Sequence, residues 1–309
     1  VEDNINRLFI YLLNMSTYAI FRNGEEIKNK INLNYPFLWY GHFSVAKYNG
    51  TIVHFIIDYL KKINKSTIFA LFQDDGNIPL NYIVDATENI ITPNDNLIVG
   101  TLAQITEDKD IHYLYLPLDD VFFENGVSRY FQNIPSWNER KAIAYWRGGC
   151  SGDGGINSIR CRVVGKLLDY NKADAKITHW GGWENGKNVP ENYFGDRMDY
   201  TEFLKYKIFM IVDGNCIASN HMWGFASGGV PFIISNAKCW FSEFLIPFVN
   251  YIPIQYDLSD LKEKIEWVVH NDSEAEKIAQ NALQFSREVF SSEFQKKYVM
   301  NKINQIVGI

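Results

Sequence analysis

Glycines, arginines and small polar residues gather in two short stretches of the chain, each after an apolar run. The first is Trp146-Arg147-Gly148-Gly149-Cys150-Ser151-Gly152-Asp153-Gly154-Gly155, and a helical pattern carrying Arg160 and Arg162 follows it. Glycine lets main-chain amides approach a ligand, a helix N-terminus favours anions, and a guanidinium grips two phosphate oxygens. Together these make a diphosphate cradle, although turn chemistry alone fits a flexible loop equally well. The second stretch is Asp213-Gly214-Asn215-Cys216-Ile217-Ala218-Ser219-Asn220-His221, again between an apolar strand and a helix. Ser219 and Asn220 fit helix capping when each is taken alone. Two such turns, however, mark the same rim of an open α/β sheet, the side on which ligands bind. A third candidate is Asp74-Asp75, which ends an apolar strand. A carboxylate there is placed for general-base work, or is simply a solvated turn.

Other chemistries find less support. The first stretch is not a P-loop, which needs Gly-Lys-Ser/Thr. It is not a dinucleotide fingerprint either, since no correctly placed Gly-x-Gly-x-x-Gly has an acidic residue about 20 positions on. His42, His54, His112, His179, His221 and His270 show no metal-binding spacing, so no metal site is expected. Asp108-Lys109-Asp110 reads as a surface turn, and with no Gly-x-Ser-x-Gly elbow a hydrolase triad is unsupported. His179-Trp180-Gly181-Gly182-Trp183 sets two large aromatics around glycines, which suits stacking on a sugar ring as well as it suits core or lid packing.

The elements that must carry these residues alternate. In the first half, residues 4–22 read as helix, 37–48 as strand or hairpin, 51–62 as helix and 66–72 as a short buried strand. Further short strands and turns follow from 82 to 116. In the second half, strands are expected at 142–146, 176–179, 208–212, 230–234 and 251–254. Helices are expected at 156–170, 199–206, 219–227, 258–270, 273–289 and 291–307. Strand and helix in alternation predict a parallel, doubly wound sheet. The domains are read as 1–135, an acceptor-side α/β domain, and 136–290, a Rossmann-like nucleotide-sugar domain. Residues 291–309 form a last helix expected to cross back to the first domain.

The chain has 309 residues with 47% hydrophobic content and 21% charged, enough apolar material for two cores and too much for disorder. Its net charge of −6 excludes a global basic footprint, so no nucleic-acid partner is expected and a small or neutral one is. No run approaches the roughly 20 apolar residues that span a bilayer. Cys150, Cys161, Cys216 and Cys239 show neither Cys-x-x-Cys spacing nor the density of a disulfide scaffold, which favours a reducing, cytoplasmic setting.

Read in order, several segments resemble glycosyltransferase family 90. They are Pro135-Ser136-Trp137 with Lys141 and Tyr145-Trp146-Arg147-Gly148, Leu204-Lys205-Tyr206-Lys207 leading into Asp213-Gly214, and Ser227-Gly228-Gly229-Val230-Pro231-Phe232. Pro247, Tyr251-Ile252-Pro253-Ile254, Asp257-Leu258 and Asn271-Asp272 complete the set. The resemblance implies a GT-B-like α/β fold, two Rossmann-like domains facing across a cleft, and inverting transfer of xylose or glucose from a UDP-sugar to a hydroxyl of a glycan acceptor. It implies Asp74 as base and Arg147, Gly149, Ser151 and Arg160 at the donor, with Asn215, Ala218, Ser219 and Asn220. No cofactor beyond the donor is implied. Several relatives have arginine where this chain has Asn220, which shifts weight to Arg160 or Arg162. A retaining GT-B transferase, or a sugar-binding module that has lost catalysis, are the alternatives.

Overall fold

Strands in the first half form on β-branched and aromatic runs that pair over long sequence distances. The structure is a computed structural model describing residues 17–22, 24–29, 50–63, 65–71, 96–101, 103–104, 112–117, 125–127, 133–151, 155–180, 188–214, 217–218 and 220–309. Strand β1 (Thr17–Arg22) pairs antiparallel with β2 (Glu25–Asn29) and with β3 (Thr67–Leu71). Strand β3 runs parallel to β4 (Asn96–Thr101), and β4 runs parallel to β6 (His112–Tyr115), giving the order β2-β1-β3-β4-β6. The two-residue strand β5 (Ala103–Gln104) stands outside this sheet. Helix α1 (Gly50–Leu60) buries Ile52, Val53, Ile56 and Leu60 fully, the stripe its 3.6-residue period sets up.

The helix expected over 4–22 is corrected here, because Thr17–Arg22 is strand. Ladder pairing on both edges overrides the local helical pattern. A signal for it is present, since Asn23-Gly24 lies between the paired runs and Asn-Gly is a strong hairpin cue. Residues 4–16 and 37–48 lie outside the described set.

Among the described residues, every strand pair in the five-stranded sheet of the second half is parallel. The strands are β7 (Lys141–Cys150), β8 (Ala173–Trp180), β9 (Tyr206–Val212), β10 (Val230–Ile234) and β12 (Ile252–Pro253), in the order β12-β10-β9-β7-β8. Strand β11 (Lys238–Cys239) lies outside this sheet. Helices α2 (Ile159–Leu167), α3 (His221–Ala226), α4 (Leu261–His270) and α5 (Asp272–Val289) connect and follow the strands. All seven residues of β9 are buried, as a central parallel strand covered on both faces requires. Val163, Val164, Met210, Phe232, Ile265 and Val268 share one core with it. The helix expected over 199–206 is instead a 3-10 turn, Tyr200–Lys205, opened by the Asp199 carboxylate accepting from the Thr201 amide at 2.8 Å.

The fold class is thus α/β with two units, one built on a mixed sheet and the other on a parallel sheet. One unit holds the described residues up to 117 and the segment Glu293–Ile309, and the other holds those of Asn125–Ser292. The division falls at Asn125 rather than near 135. The last helix, α6 (Ser292–Val307), reaches α1 in the first unit, where Tyr59 Oη donates to Asn304 Oδ1 at 2.7 Å. Among the described residues no helix is long and apolar enough to cross a membrane.

Candidate functional site

From β7 the chain goes to β8 on one side, then returns to β9 on the other and continues outward to β10 and β12. The order reverses between β7 and β9, and at such a switch point the loops leaving the two strand ends diverge and open a crevice. The first glycine-containing stretch begins in the last residues of β7, with Gly148 and Gly149 in the strand, and the second follows the end of β9.

Arg160, in the first turn of α2, bridges the crevice. On the β7 side its Nη1 donates to the Gly149 carbonyl at 3.0 Å and to Ser151 Oγ. On the β9 side Nε donates to the Asp213 carbonyl at 3.0 Å, while Nε and Nη2 meet the Val212 carbonyl at 3.4 and 3.3 Å. Parallel strands leave unpaired carbonyls where they separate, and the flat five-donor fork of arginine suits several of them at once. Arg160 therefore stands where the cradle was expected, but its hydrogen bonds hold the two loops together.

Two glycines are required by this closeness. A Cβ on Gly214 would lie 2.6 Å from Ser151 Oγ and 3.0 Å from Arg160 Nη2. One on Gly149 would lie 2.3 Å from His179 Nε2, because the imidazole at the end of β8 packs directly on this glycine. His179 Nδ1 is 3.0 Å from Thr178 Oγ1, and partial burial with the charges of Arg197 and Arg160 holds its pKa below the ordinary value. His179 is thus a rim residue, a role its neighbourhood in sequence did not disclose. Trp180 ends β8, while Gly181, Gly182 and Trp183 lie outside the described residues.

Asp213 is buried, and its Oδ2 accepts from the Asn236 amide at 3.2 Å, tying the end of β9 to the turn after β10. Asn220 Nδ2 reaches the Met210 carbonyl at 3.4 Å, and Asn220 precedes α3 without a side-chain capping bond. Ala218 is buried, and its carbonyl accepts from His221 Nδ1 at 2.6 Å. Arg147 is set three residues back from the strand end. It pairs with Asp174 at 2.7 Å, donates to the Asp174 carbonyl at 3.0 Å and lies 4.8 Å from the Tyr145 ring. Arg162 donates to the Tyr256 carbonyl at 3.1 Å. Asp74, Asp75, Asn215 and Ser219 lie outside the described residues.

Several residues that carried the family resemblance form a scaffold at the other edge of the same sheet, where β7 and β9 begin. Lys207, 8% exposed, pairs with Asp272 and lies 4.6 Å from the centroid of the Trp137 ring. Arg140, 5% exposed, donates to the carbonyls of Ser227 at 2.8 Å, Pro135 at 3.1 Å and Tyr206 at 3.4 Å. Burial lowers its pKa to about 10, which leaves it charged at neutral pH.

A switch-point crevice bounded by glycines, a serine and an arginine suits an anionic ligand, and the chain matches the profile of Glycosyl transferase family 90 over residues 128–306. The chain belongs to glycosyltransferase family 90. Within the family's wider reach, it is 33% identical over 161 residues to protein O-glucosyltransferase 2 of Danio rerio, covering 50% of this chain and 30% of that one. It is 25% identical over 275 residues to human protein O-glucosyltransferase 3, covering 78% and 52%. To protein 027R of Frog virus 3 it is 27% identical over 199 residues, covering 56% and 20%. The chain therefore spans from a fifth to about half the length of these relatives. The match includes both loops of the crevice and all of the Arg140, Trp137, Lys207 and Asp272 scaffold.

Proposed function

We propose that this chain is an inverting glycosyltransferase moving glucose or xylose from a UDP-sugar to a hydroxyl of a glycan acceptor. The observation that carries the proposal is the Arg160 bridge across the switch-point crevice of a family 90 chain. The second unit holds the donor there, with the diphosphate beside Gly149, Ser151 and the Asn215–Asn220 segment. Departure of the nucleotide places negative charge on the diphosphate, and fixed positive dipoles and charge stabilise that charge best when they need not reorganise. Arg160, anchored by the carbonyls of both strands, supplies charge from a fixed position rather than by the two-pronged phosphate grip expected from sequence. Asp74, from the first unit, takes the acceptor proton as the acceptor oxygen attacks the anomeric carbon from the face opposite the leaving group. One displacement inverts the configuration. No cofactor besides the donor is invoked, and Arg147 supports the site through β7.

The relatives named protein O-glucosyltransferases add hydroxyl-bearing peptides to the acceptors worth testing. The test is thermal shift with UDP, UDP-glucose and UDP-xylose, followed by turnover with glycan and peptide acceptors and NMR assignment of the product anomer. Stabilisation by a UDP-sugar and an inverted product are expected. A retained anomer overturns the single-displacement mechanism, and donor binding without any turnover or hydrolysis favours a sugar-binding module.

A further inference from the structure

Cys150 and Cys161 are ten residues of loop and helix apart in sequence, yet their sulfurs lie 3.4 Å from each other in the core of the second unit. Cys150 ends β7 between Gly149 and Ser151, and Cys161 directly follows Arg160 on α2. The two thiols therefore join the end of β7 to the helix that carries Arg160. A disulfide needs its sulfurs at about 2.05 Å, so closure asks for a movement of little more than 1 Å. We propose that Cys150 and Cys161 are a redox modification site, oxidised by hydrogen peroxide to a disulfide that staples β7 to the first turn of α2.

The surroundings assign the order of events. The contact with Cys161, the Gly155 amide, Ser158 and the charge of Arg160 favour a thiolate at Cys150 and hold its pKa below the ordinary thiol value against the opposing effect of burial. Cys161 is pushed the other way by the same contact and by burial. Cys150 is thus the nucleophile and Cys161 the resolving thiol. The Cys150 thiolate attacks one peroxide oxygen; an S–O bond forms, the O–O bond breaks, and hydroxide leaves to be protonated as water. Cys161, losing its proton, then attacks the Cys150 sulfur; the S–S bond forms, the S–O bond breaks, and a second water leaves. Two thiols and one peroxide become one disulfide and two waters. Both side chains are buried, at 1% and 0% exposure, which limits the oxidant to one as small as peroxide.

The test is mass spectrometry of the intact protein after peroxide treatment, alkylation under denaturing conditions and trypsin digestion without reductant. Cleavage after Arg147, Arg160 and Arg162 separates the two cysteines, so the disulfide appears as Gly148–Arg160 joined to Cys161–Arg162, two hydrogens lighter than the sum. That species should grow with peroxide, disappear with dithiothreitol, and accompany a rise of several degrees in Tm that dithiothreitol reverses. The variant Cys161→Ser should lose the cross-link and accumulate dimedone-reactive sulfenic acid at Cys150. Full alkylation of both cysteines after peroxide, or linkage of either to Cys216 or Cys239, overturns the proposal. None of these readouts depends on glycosyl transfer, so the site stands or falls separately from the proposed enzyme.

Discussion

Replacing Arg160 with alanine should both loosen the second unit and weaken donor binding, and the two effects can be measured apart. The side chain makes two 3.0 Å hydrogen bonds to carbonyls, one to Ser151 and longer ones to Val212. A hydrogen bond from a charged donor contributes about 1.5–3 kcal/mol when buried, but these share one guanidinium and water replaces some of them on a half-buried rim. A loss of about 2–4 kcal/mol is therefore expected. For a unit of this size each kcal/mol shifts Tm by roughly 2–4 °C, so Arg160→Ala should melt roughly 5–15 °C lower by calorimetry. Without the positive charge beside the diphosphate, affinity for UDP should fall at least about 10-fold, or about 1.4 kcal/mol, by titration calorimetry below the melting range. Arg160→Lys keeps the charge but not the planar fork. It should lose most of the same stability while retaining more of the affinity. An Arg160→Ala protein that melts with the wild type refutes the bridge, and one that binds UDP unchanged refutes the donor role.

Three further outcomes are expected. Asp74→Asn should abolish transfer while leaving UDP-sugar affinity within about twofold, since only the base is lost; an active variant moves the role to Asp75, tested in the same acceptor assay. His221 is fully buried, its Nδ1–H donates to Ala218, and among the described residues Nε2 meets no partner, so burial lowers its pKa to about 4. The unfolded chain takes up that proton near pH 6.5 and the folded chain does not, so stability is full above about pH 6.5 and falls by about 3 kcal/mol towards pH 4. Urea midpoints across that range should show the loss, and His221→Gln should flatten it; equal slopes in both proteins would contradict the assignment. Lys207→Met leaves the Asp272 carboxylate without its cation, and that cation is the main reason the Asp272 pKa sits below the ordinary value. The pair's contribution is complete above about pH 4 and declines as pH drops through the lower folded value. Asp272 is half exposed, so a loss of only about 1 kcal/mol at neutral pH is expected from urea unfolding.

The second unit was largely legible because its local signals and its tertiary environment agree. Strand 230–234 and the helices near 261–270 and 272–289 lie where alternation and period put them, and both strand ends of the crevice were found from glycine placement. What sequence did not disclose depends on contacts between distant positions. Arg160 was expected to face a ligand, but the Val212 and Asp213 carbonyls it meets lie more than 50 residues away, and no local pattern encodes them. His179 on Gly149 and Cys150 against Cys161 are likewise products of strand register and helix placement. In the first unit, the helical spacing over 4–22 was outweighed at Thr17–Arg22 by pairing to β3, some 50 positions on.

Trp137, Lys207 and Asp272 meet from three places in the chain, the last two 65 residues apart, and Arg140 joins the end of α3 to the approach of β7. Such contacts exist only once every intervening strand has taken its neighbour. These residues therefore act as latches that close when the sheet is complete, and drift at any one of them leaves a buried cation stranded.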